Sequence, residues 1–133
     1  MSTTLFDTHR KTLDGARAAI KTRTFWSVYP EIPSGKFYGE SAKDDGIVAF
    51  KNRLNATFNF DLPGSSGTVG GEKSPFGIDL NIQYPKPNLD GLIAAAKSAI
   101  PKWRDAGIET RTGVCLEILH RLNRRSFEIA FAV

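Results

Sequence analysis

Apolar residues recur every three or four positions along the last third of the chain, from Leu89 to Val133. That spacing places them on one face of a helix. It predicts two amphipathic helices, at about 89–100 and 109–133. The first has Asn88 as its N-cap and ends or kinks at Pro101, because proline lacks the N–H that a helix interior requires. The predicted apolar face of the second helix comprises Cys115, Ile118, Leu119, Leu122, Ser126, Ile129, Ala130 and Val133.

The first two thirds of the chain predict two more helices and a little β-structure. Apolar residues at helical spacing predict helices at about 4–23, with Thr3 or Thr4 as the cap, and at about 41–54. The loop at 24–40 carries aromatic residues and prolines, and we expect its rings to hold it to the core. Short strands or a hairpin are predicted near 57–84, from alternating residues at 57–62 and 78–84.

A glycine-rich stretch, GSSGTVGGEKSPFG, lies at 64–77 between the two predicted strands. A P-loop requires G-x-x-x-x-G-K-[ST], so that backbone amides and the lysine surround the phosphates. Here the lysine follows a glutamate, in Gly71-Glu72-Lys73, and no helix is predicted after it. The dinucleotide-binding pattern G-x-G-x-x-G is also absent. The sequence therefore predicts a mobile turn here and no cofactor-binding residues.

Composition and charge exclude several classes of protein. The chain is 41% hydrophobic and 24% charged, which is typical of a globular protein. Its net charge of +4 comes from 18 basic and 14 acidic residues that are interspersed, so no nucleic-acid partner is predicted. The single cysteine allows no internal disulfide, and no Cys/His spacing suggests a metal site. Without a secretory signal or an apolar run of about 20 residues, we expect a cytoplasmic protein that does not enter a membrane.

Few side chains are candidates for chemistry. Cys115 is the only thiol, but its place on the predicted apolar face favours a buried, structural residue. His9 is expected to be packed and hydrogen-bonded, and His120 to lie at the surface or half-buried. Arg121, Arg124 and Arg125 form a basic cluster for which a solvated helix face is the favoured interpretation. No catalytic, cofactor-binding or metal-binding residue is predicted in this chain.

The Ala-rich helix is followed by Ala99-Ile100-Pro101-Lys102-Trp103-Arg104 and then by a helix with Cys-Leu-Glu-Ile-Leu at 115–119. This succession resembles the N-terminal region of aldehyde dehydrogenases, in which an AxxAxxxW segment precedes an ERxxxL-like helix. Thr110-Arg111 stands where that family usually has Glu-Arg. Four further segments are Leu5 to Ile20, FWSVYP at 25–30, GGEKSPFG at 70–77 and VCLEIL at 114–119. With them the chain more closely resembles the phenylacetic acid degradation aldehyde dehydrogenases, of the PaaN type.

The resemblance implies an α/β fold of the aldehyde dehydrogenase type, incomplete, with 1–133 as a single N-terminal segment. It implies oxidation of an aldehyde, such as an acyl-CoA semialdehyde, with NADP or NAD as the acceptor. The family's nucleophilic cysteine, glutamate base and cofactor turn correspond to chain beyond position 133, so we expect this segment to be structural and to bind no cofactor itself. Its helix at 109–133 is expected to pack against the rest of the dehydrogenase or to self-associate. The alternative is a stand-alone, non-catalytic helical interaction module.

Overall fold

The computed structural model describes residues 4–133. It contains six helices and a two-stranded sheet within those residues. In chain order these are α1 (Leu5–Thr22), α2 (Gly35–Tyr38), α3 (Ala42–Lys51), β1 (Thr68–Gly70), β2 (Gln83–Pro85), α4 (Leu89–Asp105), α5 (Gly107–Arg124) and α6 (Ser126–Ala132). Thr4 caps α1, accepting a hydrogen bond from the Asp7 backbone N–H at 3.1 Å. The predicted loop at 24–40 thus contains one short helix, α2.

Helices α1 and α5 cross at Gly113. A Cβ atom there would lie 2.5 Å from the backbone nitrogen of Phe6 and 2.9 Å from the carbonyl carbon of Leu5. The helices can approach this closely because glycine has no side chain. Further along, His9 contacts Glu117, so the contacts advance in the same direction on both helices. The two helices therefore run roughly parallel.

Helices α3 and α6 make a second close crossing, at Gly46. A Cβ atom at Gly46 would lie 2.5 Å from Cβ of Phe127 and 2.9 Å from its carbonyl carbon. The Phe127 ring meets the Tyr38 ring edge-on, with centroids 5.4 Å apart. Tyr38 donates its hydroxyl hydrogen bond to the Pro30 carbonyl at 2.5 Å. The loop before α2 is thus fastened by a tyrosine to the α3–α6 pair.

Trp26 fastens the loop that follows α1. A Cβ atom at Gly15 would lie 2.9 Å from the indole Nε1 of Trp26, so the ring lies against α1 at a position without a side chain. Phe25, by contrast, is 85% exposed. The prediction that aromatic rings hold this loop to the core is correct for Trp26 and wrong for Phe25, whose ring has no partner surface in residues 4–133.

The β-structure is smaller than predicted. Strands β1 and β2 pair antiparallel, with Val69 opposite Tyr84, and β1 lies inside the glycine-rich stretch that was predicted to be a mobile turn. The predicted strand at 57–62 is reduced to a single parallel bridge between Thr57 and Gln83. The predicted strand at 78–84 is interrupted by Asn81, whose φ of 50° is left-handed and breaks the extended path.

Helix α4 extends beyond its predicted end. It continues through Pro101 to Asp105, whereas the sequence predicts an end or a kink near residue 100. The Asn88 cap is as predicted, since its side chain accepts from the Gly91 N–H at 3.0 Å. No residue of α4 is buried. Its large apolar side chains are exposed: Leu89 70%, Ile93 43%, Ile100 59% and Trp103 45%.

The predicted helix at 109–133 is two helices. Arg125 leaves the helical conformation, with φ −109° and ψ 13°, and separates α5 from α6. The change of direction turns α6 so that Phe127 and Glu128 face α3. The prediction of one continuous apolar face from Cys115 to Val133 is therefore wrong. A break of this kind has no signal in the spacing of apolar residues.

The molecule exposes much more surface than a folded protein of its mass. Its accessible surface is 10524 Å², whereas a monomer of this size exposes about 6,900 Å². Among the described residues, Ile82 is the only buried large apolar side chain. The excess is roughly 3,600 Å². The apolar side chains of α4 and α5 that have no partner in residues 4–133 contribute to it.

Candidate functional site

A polar cluster lies between α1 and α5. His9 is 7% exposed and its Nε2 lies 2.8 Å from the Glu117 carboxylate, which also accepts a hydrogen bond from Arg121 at 2.7 Å. The hydrogen bonds from Arg121 and His9 lower the pKa of Glu117. The His120 ring lies 5.7 Å from the His9 ring. The prediction that His9 is packed and hydrogen-bonded is confirmed, and His120 is half-buried as predicted.

A second polar cluster joins α3 to α6. The Glu128 carboxylate accepts hydrogen bonds from Arg125 at 2.8 and 2.9 Å and from Arg53 at 2.9 Å. These guanidinium groups, Arg125 foremost, lower the pKa of Glu128 from 4.5 to about 2. The side chain of Glu128 is 14% exposed. Through the pair with Arg53, the mostly buried Glu128 carboxylate holds α6 against the end of α3.

The low pKa of Glu128 has a consequence for stability in acid. Because the folded state lowers this pKa to about 2, its contribution is complete above the unfolded value near 4.5 and is lost as the pH falls toward 2. We expect the contribution to be about 1–2 kcal/mol, since the arginine partners are exposed to solvent and screened. The melting temperature of Glu128→Gln should fall less steeply than that of the wild type as the pH is lowered from about 6 to about 2.5. The same substitution at exposed Glu72, E72Q, should leave the pH dependence of the melting temperature as it is in the wild type. Equal pH dependence for the wild type and E128Q would contradict the low pKa of Glu128.

The position of Cys115 differs from the prediction. The thiol is exposed, because the face of α5 that packs on α1 carries Gly113 and Glu117 and not the cysteine. The sequence prediction of a buried Cys115 is therefore wrong. No hydrogen bond joins Cys115 to a base among residues 4–133, and no group of three metal-ligating side chains occurs there.

Helix α5 has an apolar face that nothing in residues 4–133 covers. This bare face is formed by Cys115, Ile118, Leu119 and Leu122. The three large side chains are 51–52% exposed, although the sequence predicts this face to be the inner one. Helix α5 instead packs against α1 with the side that carries Gly113 and Glu117. Exposed apolar faces of this kind are typical of surfaces that another polypeptide covers. No helix in residues 4–133 has the length and hydropathy to cross a membrane.

The helices and the small antiparallel sheet together form part of an aldehyde dehydrogenase-like fold. The chain is similar to the crystal structure of an NAD-dependent aldehyde dehydrogenase from Burkholderia multivorans, with a TM-score of 0.83 and 53% identity over 98% of the chain. It spans 24% of the length of that enzyme. No protein-family model and no curated protein matches the chain. The similarity supports a relationship of this chain to the aldehyde dehydrogenase superfamily.

The two glutamates that organise the polar clusters, Glu117 and Glu128, are not distinguished by the sequence. The i,i+4 spacing of Glu117 and Arg121 is a local signal of a helix-surface ion pair. It does not show that the same carboxylate meets His9, which is 108 positions away. The pairing of Arg53 with Glu128 spans 75 positions and has no local signal at all.

Proposed function

We propose that this chain is part of an NAD(P)-dependent aldehyde dehydrogenase that oxidises an aldehyde to the acid. The observation that carries the proposal is 53% identity to an NAD-dependent aldehyde dehydrogenase across 98% of the chain, with matching structure. Identity at this level over so many residues supports a shared activity as well as a shared fold. The description of that enzyme supports NAD as the acceptor, and NADP remains the second candidate.

The substrate class rests on the resemblance to the PaaN type. Its segments include GGEKSPFG at 70–77 and VCLEIL at 114–119. The resemblance supports an acyl-CoA semialdehyde formed during phenylacetic acid degradation. Aldehyde oxidation through a thiol requires a thiolate, a general base and donors for the oxyanion. In this proposal those groups belong to other parts of the enzyme, and exposed Cys115 is not the nucleophile.

The role of this segment is structural. The bare face of α5 and the exposed apolar side chains of α4 would pack against the remaining dehydrogenase polypeptide, which in the Burkholderia enzyme is about three times as long as the matched part. The roughly 3,600 Å² of excess surface is large enough for an obligate interface, which buries 2,000 Å² or more in total. The same exposed apolar side chains favour the alternative, a stand-alone helical interaction module. The coding sequence after Val133 separates the two, since a strand, a glycine-rich turn and a later cysteine would support the enzyme.

A chimera tests the proposal directly. In it, this chain replaces the matched quarter of the Burkholderia multivorans enzyme, and reduction of NAD by a panel of aldehydes is measured. We expect activity within about tenfold of the parent enzyme, because a protein core tolerates substitutions that keep the volume and the pattern of its apolar side chains. Ile118→Asp in the chimera should abolish activity through misfolding, whereas Lys11→Asp on the exposed side of α1 should not. A folded chimera without activity would contradict the proposal.

A further inference from the structure

A charged depression lies at the C-terminal end of α5. Its volume is about 400 Å³, and it is lined by Glu117, Arg121, Arg124 and Arg125. An adjoining depression of about 450 Å³, between α3 and α6, also has Arg124 and Arg125 on its wall. The prediction of a solvated helix face is confirmed, because Arg121, Arg124 and Arg125 are all exposed. The same three arginines also line an open, concave surface.

Carboxylates hold two of these arginines in place. Arg121 donates to Glu117 at 2.7 Å, and Arg125 donates to Glu128 at 2.8 and 2.9 Å. Each carboxylate has a second partner on another helix, His9 for Glu117 and Arg53 for Glu128. The two carboxylates thus orient Arg121 and Arg125, whose side chains are 74% and 52% exposed.

Arg124 differs from its neighbours. Its side chain makes no hydrogen bond or ion pair with any residue in 4–133, yet it borders both depressions. The cluster contains four guanidinium groups, those of Arg53, Arg121, Arg124 and Arg125, and two carboxylates. Asp45, on the wall of the adjoining depression, adds a third. A positive excess remains in this cluster, and Arg124 is its guanidinium group without an ion-pair partner among residues 4–133.

We propose that this depression binds the phosphate group of a small molecule, with Arg124 as the principal ligand and Arg121 and Arg125 beside it. A guanidinium presents a planar fork of N–H donors that matches two phosphate oxygens, and it stays charged at every physiological pH. The three arginines lie within five residues of one helix end, so they match a single phosphate or diphosphate group and not the extended backbone of a nucleic acid. It does not depend on the dehydrogenase assignment.

Calorimetric titration of the full chain with pyrophosphate, and separately with ADP, tests the proposal. We expect binding of pyrophosphate that Arg124→Gln weakens by roughly tenfold or more, the loss expected for a charge-assisted hydrogen bond. Because Arg124 has no partner within 4–133, this variant should melt at the wild-type temperature. Arg124→Lys keeps the charge but not the fork, and we expect intermediate affinity. Arg17→Gln, which removes the same charge from an exposed position on α1, should bind as the wild type does.

The two ligands distinguish the source of the phosphate. Equal affinity for pyrophosphate and ADP would support a site for the phosphates alone, and tighter binding of ADP would support a nucleoside phosphate. Failure of the wild type to bind either ligand at millimolar concentration would overturn the proposal. Equal weakening by R124Q and R17Q would also overturn it, since the effect would then reflect net charge and an adventitious anion only.

Discussion

Ile118→Glu is expected to raise the dissociation constant for self-association of the isolated chain by about a hundredfold or more. Ile118 lies at the centre of the bare face of α5 and is 52% exposed. Burial of a large apolar side chain contributes roughly 1.5–3 kcal/mol, and a two-fold symmetric contact would lose that contribution twice. We therefore expect the wild type to self-associate in the micromolar range through this face, and the variant to be monomeric.

Light scattering across a concentration series measures the effect. Ile20→Glu is the matched control, because it is the same substitution on α1 at a residue that is 77% exposed and outside the bare face. It should leave self-association unchanged. A wild type that remains monomeric at high micromolar concentration, with a cooperative thermal transition, would contradict the prediction. Such a chain would favour a self-sufficient small domain over a segment of a larger enzyme.

Gly113→Ala should destabilise the α1–α5 pair strongly. The added Cβ would lie 2.5 Å from the Phe6 nitrogen and 2.9 Å from the Leu5 carbonyl carbon, so a helix must shift to admit it. Overpacking of this kind costs about 1–3 kcal/mol and occasionally more, against a gain of roughly 1 kcal/mol in helix propensity. We expect a net loss of about 2 kcal/mol, which lowers the melting temperature by roughly 5–10 °C.

Gly15→Ala provides the matched control for this substitution. It is also a glycine inside a helix, but its added Cβ would meet the indole ring of Trp26 at 2.9 Å and no backbone atom among its nearest contacts. A partly exposed ring can move, so we expect a change within about 1 kcal/mol of the wild type. Equal melting temperatures for G113A and G15A, measured at one protein concentration, would show that the helices separate easily and that the crossing is not tight.

The similarity to an aldehyde dehydrogenase has a physical counterpart in the surface of the chain. Amphipathic helices such as α4 and α5 derive most of their stability from burial of one face against other elements. In this chain α4 buries no residue, and α5 leaves its apolar side exposed. Both observations agree with a segment that is a quarter of the length of the enzyme it matches.

The sequence by itself determined most of the local structure. Asn88, and either Thr3 or Thr4, were predicted as caps because a cap is formed between residues three apart. Thr3 lies outside the described residues, and Thr4 and Asn88 accept the expected backbone hydrogen bonds. The presence of α1, α3, α4 and α5 follows from the spacing of apolar residues, which is also a local property. The packed state of His9 was inferred from its place beside an apolar face.

The tertiary structure decided which face of each helix is covered. Apolar spacing shows that a helix has an apolar side, but not whether the partner of that side belongs to the same chain. In α5 the side that packs on α1 contains Gly113 and Glu117, because close approach requires a missing side chain and the buried His9 requires a carboxylate. The apolar side, with exposed Cys115, has no partner among residues 4–133. The break at Arg125 also came only from the structure, since Glu128 is held by Arg53, which is 75 positions away.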